Sequence, residues 1–239
     1  MRYCKKCVQT DTRPHIKFDK NGVCYACLYS EEAKHIDWEE REGQLFEIAE
    51  WAKARSKGGY ECAIGVSGGK DSILQALVAR DKLGLNCLLV NCAPDNITEV
   101  GRHNLENLVC HGFDMVSFRP NPKIVRKLTK RSFYEYGNPP KPTEYSLWAV
   151  TYQTALAFKI PLIIQGESYG LTLGAVDDSG INDNAMNINL THTLAGGNAS
   201  DWVGDGIDYK ELLLYQFPDK QKLIDAGIRA IYLQYYLKD

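Results

Sequence analysis

Hydrophobic positions change rhythm several times along the chain, and each change marks an element. From Asp37 to Lys57 a charged stretch carries Trp38, Leu45, Ile48, Ala49, Trp51 and Ala52 close to an i, i+3, i+4, i+7 spacing, the stripe of an amphipathic helix. Gly58-Gly59 ends it. "YECAIGV" then gives a short apolar run of the length expected for a buried strand. Downstream, a helix from Asp71 to Gly84 precedes "LNCLLVNCA", and a helix from Thr98 to Cys110 leads to "DMVSFR". Helical stretches near Asn121 to Phe133 and Glu144 to Lys159 precede a fourth strand, "IPLIIQGE".

Strands alternating with helices predict a parallel, doubly wound α/β sheet. Ligands of such sheets bind outside the carboxyl ends of the strands, the edge to which "SGGKDS", "NCAPDN" and "QGES" belong. The organisation expected is a metal module over 1–30, a connector helix over 31–58, a nucleotide domain over 59–170 and a substrate loop with a C-terminal segment over 171–239. The polar, glycine-rich span from Ser168 to Gly206 is too long for an ordinary connection and reads as a functional loop or lid.

Composition narrows the classes. A chain of 239 residues, 44% hydrophobic and 24% charged, can bury a substantial core. Its net charge of -2 supplies no global field to gather nucleic acid, so Lys123, Arg126, Lys127, Lys130 and Arg131 read as a solvated helix face. No apolar stretch approaches the roughly 18 residues of a membrane span, and the charged, cysteine-bearing N-terminus is unlike a signal peptide. The expected location is the cytoplasm.

Of eight cysteines, four form two C-x2-C knuckles, Cys4 with Cys7 and Cys24 with Cys27, across a loop carrying Pro14 and the turn signal Asn21-Gly22. Four thiolates suit closed tetrahedral zinc, and so short a segment has too little core to fold without such a staple. His15 and His35 are not needed, since the ligand set is complete. A closed site is structural, leaving no open position for chemistry.

"GVSGGKDS" follows the first strand and opens a helix. Its glycines let backbone N–H groups turn inward as a nest, backed by the positive end of the helix, which makes a phosphate site. It is neither the P-loop of nucleotide hydrolases nor the dinucleotide fingerprint.

Strand-S-G-G-x-D-S-helix resembles the pyrophosphate loop of the adenine-nucleotide α-hydrolase-like superfamily over roughly residues 60 to 170. The fold so implied is a doubly wound parallel sheet of that type with an N-terminal four-Cys zinc ribbon. The resemblance implies that Val66, Ser67, Gly68, Gly69 and Ser72 cradle the pyrophosphate of ATP, that Lys70 touches it, and that Asp71 orients the loop or a Mg2+ ion. The ends of the second and fourth strands, Asn91 and Gly166, would also meet ATP.

Taken together, "YCKKCVQTDTRP", "CYAC", the connector helix, "CAIGVSGGKDS", "IPLIIQGE" and "DWVGDGI" resemble the N-acetyl sugar amidotransferase family of bacterial surface-polysaccharide (lipopolysaccharide, O-antigen) and nonulosonic-acid pathways. That family converts an acetamido group of a nucleotide-linked sugar into an acetamidino group with ATP and ammonia. The chain ends soon after "IYLQYYLKD", earlier than the resemblance implies, and Ser168 stands where it implies Asn. Glu167 is the candidate acid–base group, because it ends a strand at the ligand edge. Glu144, Tyr145, Trp148 and Gln165 are candidates to face the sugar. His192, Asp201, Trp202 and Asp205 are ambiguous between packing and substrate roles.

No cysteine occupies a nucleophile elbow, so no glutaminase is visible. The resemblance implies separate glutaminase and ammonia-channel subunits similar to the pair in histidine biosynthesis. Two other readings stand beside this one. A tRNA thiolase with a zinc module would carry the same loop, but Cys62, Cys87, Cys92 and Cys110 offer it no second C-x-x-C. A nucleotide-binding assembly subunit without turnover is the other.

Overall fold

The computed structural model describes residues 1–12, 15–94, 96–166, 168–174, 182–188 and 197–238. Five strands form one parallel sheet: β1 (Cys62–Gly65), β2 (Cys87–Cys92), β3 (Asp114–Phe118), β4 (Leu162–Gln165) and β5 (Arg229–Tyr232), in the order β3-β2-β1-β4-β5. The chain winds outward from β1 to β3 and then returns to the other side of β1. The winding therefore reverses between β1 and β4, and a crevice opens at their carboxyl ends.

Helices cover both faces. α2 (Trp38–Ser56), α3 (Lys70–Leu77) and α4 (Glu99–Cys110) pack on one face, where Leu45, Ile48 and Ala52 meet Ile64, Ala76, Leu89, Leu105, Ile164 and Ile231. On the opposite face Tyr152 and Ala155 of α6 (Lys141–Phe158) and Leu223 of α8 (Lys220–Asp225) meet Ala63, Leu88, Ile163 and Ala230. Neighbours such as Ala63 and Ile64 fall into different clusters because successive strand side chains point to opposite faces. Runs without polar alternation are the consequence.

Local chemistry sets the helix starts. The Asp37 carboxylate accepts from the N–H groups of Glu39 and Glu40, Thr98 caps α4 through Gly101 N–H, and Asn121 caps α5 (Pro122–Tyr136) through Lys123 N–H. α3 continues through a wider turn over Val78–Lys82 into Leu83.

Three expectations need correction. α6 begins at Lys141, not Glu144, because Pro142 falls in the first turn, where no N–H is needed and the fixed φ suits a helix. The sheet has a fifth strand, β5, which the sequence pattern did not single out. The span from Ser168 to Gly206 is not simply a loop: α7 (Tyr169–Leu173) follows β4, Asn184 bridges to Ile231, and Ala185, Met186 and Ile188 are buried against the α6 face.

The basic run of α5 is exposed at Lys123, Arg126, Lys127 and Lys130, although Lys127 Nζ donates to the Gly206 carbonyl at 2.5 Å. Arg131 departs from it, donating to the Trp202 carbonyl at 3.1 Å and pairing with Glu135 at 2.6 Å. Among the described residues no helix is long and apolar enough to cross a membrane.

Candidate functional site

The loop after β1 is tied from below and open above. Val66 N–H still donates to Val90 O at 2.8 Å, so the loop leaves the sheet at Ser67. Gly68 has φ +81, and a Cβ there would stand 2.9 Å from the Gly101 carbonyl, so this position needs glycine twice over. Ser67 N–H donates to Ser72 Oγ (3.3 Å), that hydroxyl donates to Gly69 O (2.9 Å), and Asn104 Nδ2 donates to Gly68 O (2.9 Å). With its carbonyls so engaged, the loop presents the start of α3, capped by extended Gly69, to the crevice. First-turn N–H groups have no intrahelical acceptor and carry the positive end of the helix, a setting for an anion.

Lys70 and Asp71 stand at that end with side chains 89% and 74% exposed, their Nζ and Oδ1 2.5 Å apart. They border a cavity of about 480 Å3, lined also by Leu74, Gln75, Gly166 and Gln234. Gln75 is buried, and its amide fills the space that a Cβ on Gly166 would take. Gly166 O accepts from Gln234 N–H at 3.0 Å, and Gln234 Oε1 accepts from Ser168 N–H at 3.1 Å, so the segment after β5 closes the crevice on the β4 side.

The predicted site residues separate into groups. Val66, Ser67, Gly68, Gly69, Lys70, Asp71, Ser72 and Gly166 come together around this crevice. Asn91 is placed differently: its amide is 2% exposed, donates to Val66 O at 2.8 Å and accepts from Ser117 Oγ at 3.0 Å. It ties β1, β2 and β3 together beneath the loop. Glu144 and Trp148 lie on α6 and Gln165 is the last residue of β4, whereas Tyr145 is buried beside Trp202 with ring centroids 6.2 Å apart. Burial pushes the Tyr145 phenol up to about 12. Asp205 is 83% exposed, within 3.8 Å of Arg131. Glu167, His192 and Pro14 lie outside the described residues.

Two residues were not legible from the motifs. Gln75 lies one helical turn after Asp71, which is the only sequence signal for it. Thr151 lies three residues after Trp148 on α6, with its hydroxyl against Gly65.

At the N-terminus the Sγ atoms of Cys4, Cys7, Cys24 and Cys27 all lie within 4.8 Å of one another, with Cys4–Cys27 at 3.9 Å and Cys7–Cys24 at 3.6 Å. Tetrahedral zinc with bonds of about 2.3 Å places sulfurs roughly 3.8 Å apart, so the four fit such an ion. Burial opposes ionisation of Cys4, but N–H groups of Cys24, Lys6 and Cys7 outweigh it and bring that thiol down to about 6. Burial and then the neighbouring sulfurs push Cys27 up. One thiolate therefore forms readily, while Cys24 and Cys27 need a cation to ionise, which is the chemistry of a metal site. The module seats α1 (Tyr25–Glu32) on α7, and Gly174 (φ +72) permits the approach, since a Cβ there would meet Ala26 N at 2.9 Å.

The fold and site define a doubly wound parallel α/β protein with a glycine-rich loop at the winding reversal and a four-cysteine N-terminal module. No family model matches the chain, and no curated protein matches it. Solved structures similar to it include the NH3-dependent NAD synthetase from Campylobacter jejuni subsp. jejuni, at 14% identity and TM-score 0.42 over 61% of this chain and 63% of that one. The NMN synthetase from Francisella tularensis is similar at 16% identity and TM-score 0.42, over 80% of this chain and 92% of that one. A predicted subunit of tRNA methyltransferase from Methanocaldococcus jannaschii is similar at 17% identity and TM-score 0.37, over 74% and 70%. The chain thus covers 63% of the length of the first of these.

Proposed function

We propose that the chain is an ATP-dependent amidotransferase that converts an acetamido group of a nucleotide-linked sugar into an acetamidino group. The observation that carries the ATP part is the loop at the end of β1, with Gly68 at φ +81, its carbonyls tied inward and the first turn of α3 facing the crevice. The sugar part rests on the sequence resemblance.

An amide oxygen is a poor leaving group. Attack of that oxygen on the α-phosphate of ATP forms an O–P bond, breaks the bond to the β-phosphate bridge and releases pyrophosphate. Ammonia then adds to the imidate carbon, and the C–O bond breaks with departure of AMP. In this reading Ser67, Gly68, Gly69 and Ser72 hold the departing pyrophosphate, Lys70 reaches it, and the Asp71 carboxylate holds Mg2+ or the loop. Mg2+ would neutralise charge developing on the phosphates. Glu167 takes a proton from the attacking ammonia. Zinc, held by the four cysteines, braces the segment after β4 through α1 and α7.

Sulfur transfer fits the remaining cysteines less well. Cys62 and Cys87 are buried within the sheet, and burial pushes the Cys92 thiol up, away from a reactive thiolate. Ammonia comes from partner glutaminase and channel subunits.

The test is pyrophosphate release by the purified chain with ATP and Mg2+, with and without a panel of acetamido nucleotide sugars. Release that depends on such a sugar is the expected result. Tight ATP binding without release under every condition would contradict the proposal and favour the assembly-subunit reading.

A further inference from the structure

α6 carries three buried serine and threonine hydroxyls, and they are not treated alike. Ser146 Oγ donates to Thr143 O at 2.9 Å and Thr154 Oγ1 donates to Val150 O at 2.7 Å, each satisfied by its own helix. Thr151 is 1% exposed, yet its Oγ1 has no hydrogen-bond partner among the described residues. One further buried donor shares this condition, the indole Nε1 of Trp148, while the Gln165 amide, on a residue 3% exposed, has the Tyr152 hydroxyl beside it. A buried polar group left without a partner is costly, and two on one helix call for a polar occupant.

These atoms belong to one place. Ile163 faces α6, so by strand alternation Gln165 does too. Gly65 and Gln165 each follow the last pair of the β1–β4 ladder, Ile64 with Ile164, and the Thr151 hydroxyl stands 3.0 Å from where a Gly65 Cβ would be. Because α6 leads into parallel β4, it runs against the strands, so Trp148 and Glu144 lie progressively nearer the carboxyl edge. α3 and its phosphate-facing first turn are on the other face of the sheet. The two sets of groups flank the Ser67–Gly69 loop.

Resting on the reading above, we infer that Thr151, Gln165 and Trp148 form the subsite for the acceptor's amide, on the face of the sheet opposite the pyrophosphate. In-line displacement at phosphorus has the attacking oxygen enter opposite the departing pyrophosphate, and groups on opposite sides of the loop allow this. The chemistry of the three groups fits a neutral amide. Gln165 Nε2 and Trp148 Nε1 donate to its carbonyl oxygen, and Thr151 Oγ1 accepts from its N–H. The nearby Glu144 carboxylate disfavours a carboxylate acceptor in the same position. Thr151 is thereby a specificity-determining residue.

The experiment uses the full chain, a panel of N-acetylhexosamine nucleotides and their hydroxyl counterparts lacking the amide. Binding is followed by the Trp148 indole N–H resonance, assigned with Trp148→Phe, and acceptor-dependent pyrophosphate release is measured in parallel. An amide-bearing sugar should move that resonance and its hydroxyl counterpart should not. Thr151→Val and Gln165→Leu should each raise the acceptor KM about tenfold or more, with ATP affinity unchanged. The inference is overturned if no amide sugar moves the resonance, if ATP alone moves it as the sugar does, or if Thr151→Val keeps the wild-type acceptor KM. Pyrophosphate release with an unchanged KM in Thr151→Val would sink the subsite and leave the amidotransferase reading. Amide-dependent movement of the indole without any release would sink that reading and leave the subsite.

Discussion

The Gln75 amide sits where a Cβ on Gly166 would have to be. One residue lies in the first turns of α3, below the glycine-rich loop, and the other directly follows β4, so this contact joins the two walls of the crevice. A methyl group at residue 166 would push the amide out and separate the walls.

Gly166→Ala should therefore destabilise the fold by about 1–3 kcal/mol through overpacking against a buried side chain. In a Gln75→Ala background the same change should cost markedly less, with a coupling of about 0.5 kcal/mol or more in a double-mutant cycle. Urea unfolding of the four proteins measures this. Additive costs would show that the two residues are not in contact.

Removing one thiolate opens a closed metal site. Cys4→Ser and Cys27→Ser should each abolish the one zinc per chain and lower the yield of soluble protein, because binding energy of the metal is folding energy for so small a module. Elemental analysis reads the metal. Wild-type protein without zinc or another tetrahedral thiolate metal would remove the ribbon from the account.

Asp71 and Lys70 form an exposed pair, and such pairs add little to stability. Asp71→Ala should leave the unfolding free energy within about 0.5 kcal/mol of wild type while lowering AMP formation by ~10²-fold or more, as expected for lost electrostatic stabilisation. Ser67→Ala should lower AMP formation similarly. Wild-type rates in both variants would take the loop out of the mechanism.

Much of the framework is legible from residue pattern alone. β1, β2 and β4 announce themselves as apolar runs, β3 shows only a mixed run, the starts of α2, α4 and α5 follow their capping residues, and the two knuckles converge because C-x2-C spacing on each side permits it. β5 was missed because "RAIY" is a four-residue run whose burial comes from pairing with β4, a tertiary fact. The start of α6 was misjudged because prolines that read as turn also suit a first helical turn. The site was harder. Nothing in the sequence separates Thr151 from Ser146 or Thr154, since the difference lies in which hydroxyl can reach a carbonyl of its own helix. Asn91 showed its position at the end of β2 but not that its amide spans the gap between Val66 and Ser117.

Nitrogen transfer is the central claim, and ¹⁵N-labelled ammonium tests it most directly. With ATP, Mg2+ and an acetamido nucleotide sugar, the isolated chain should place label in the sugar at raised pH, where free ammonia is abundant, and should fail with glutamine alone. A matching glutaminase pair should restore glutamine use near neutral pH by delivering desolvated ammonia to the imidate. Mass spectrometry of the sugar then shows an acetamidino product carrying one ¹⁵N. Release of AMP and pyrophosphate with no label in the sugar would contradict the account.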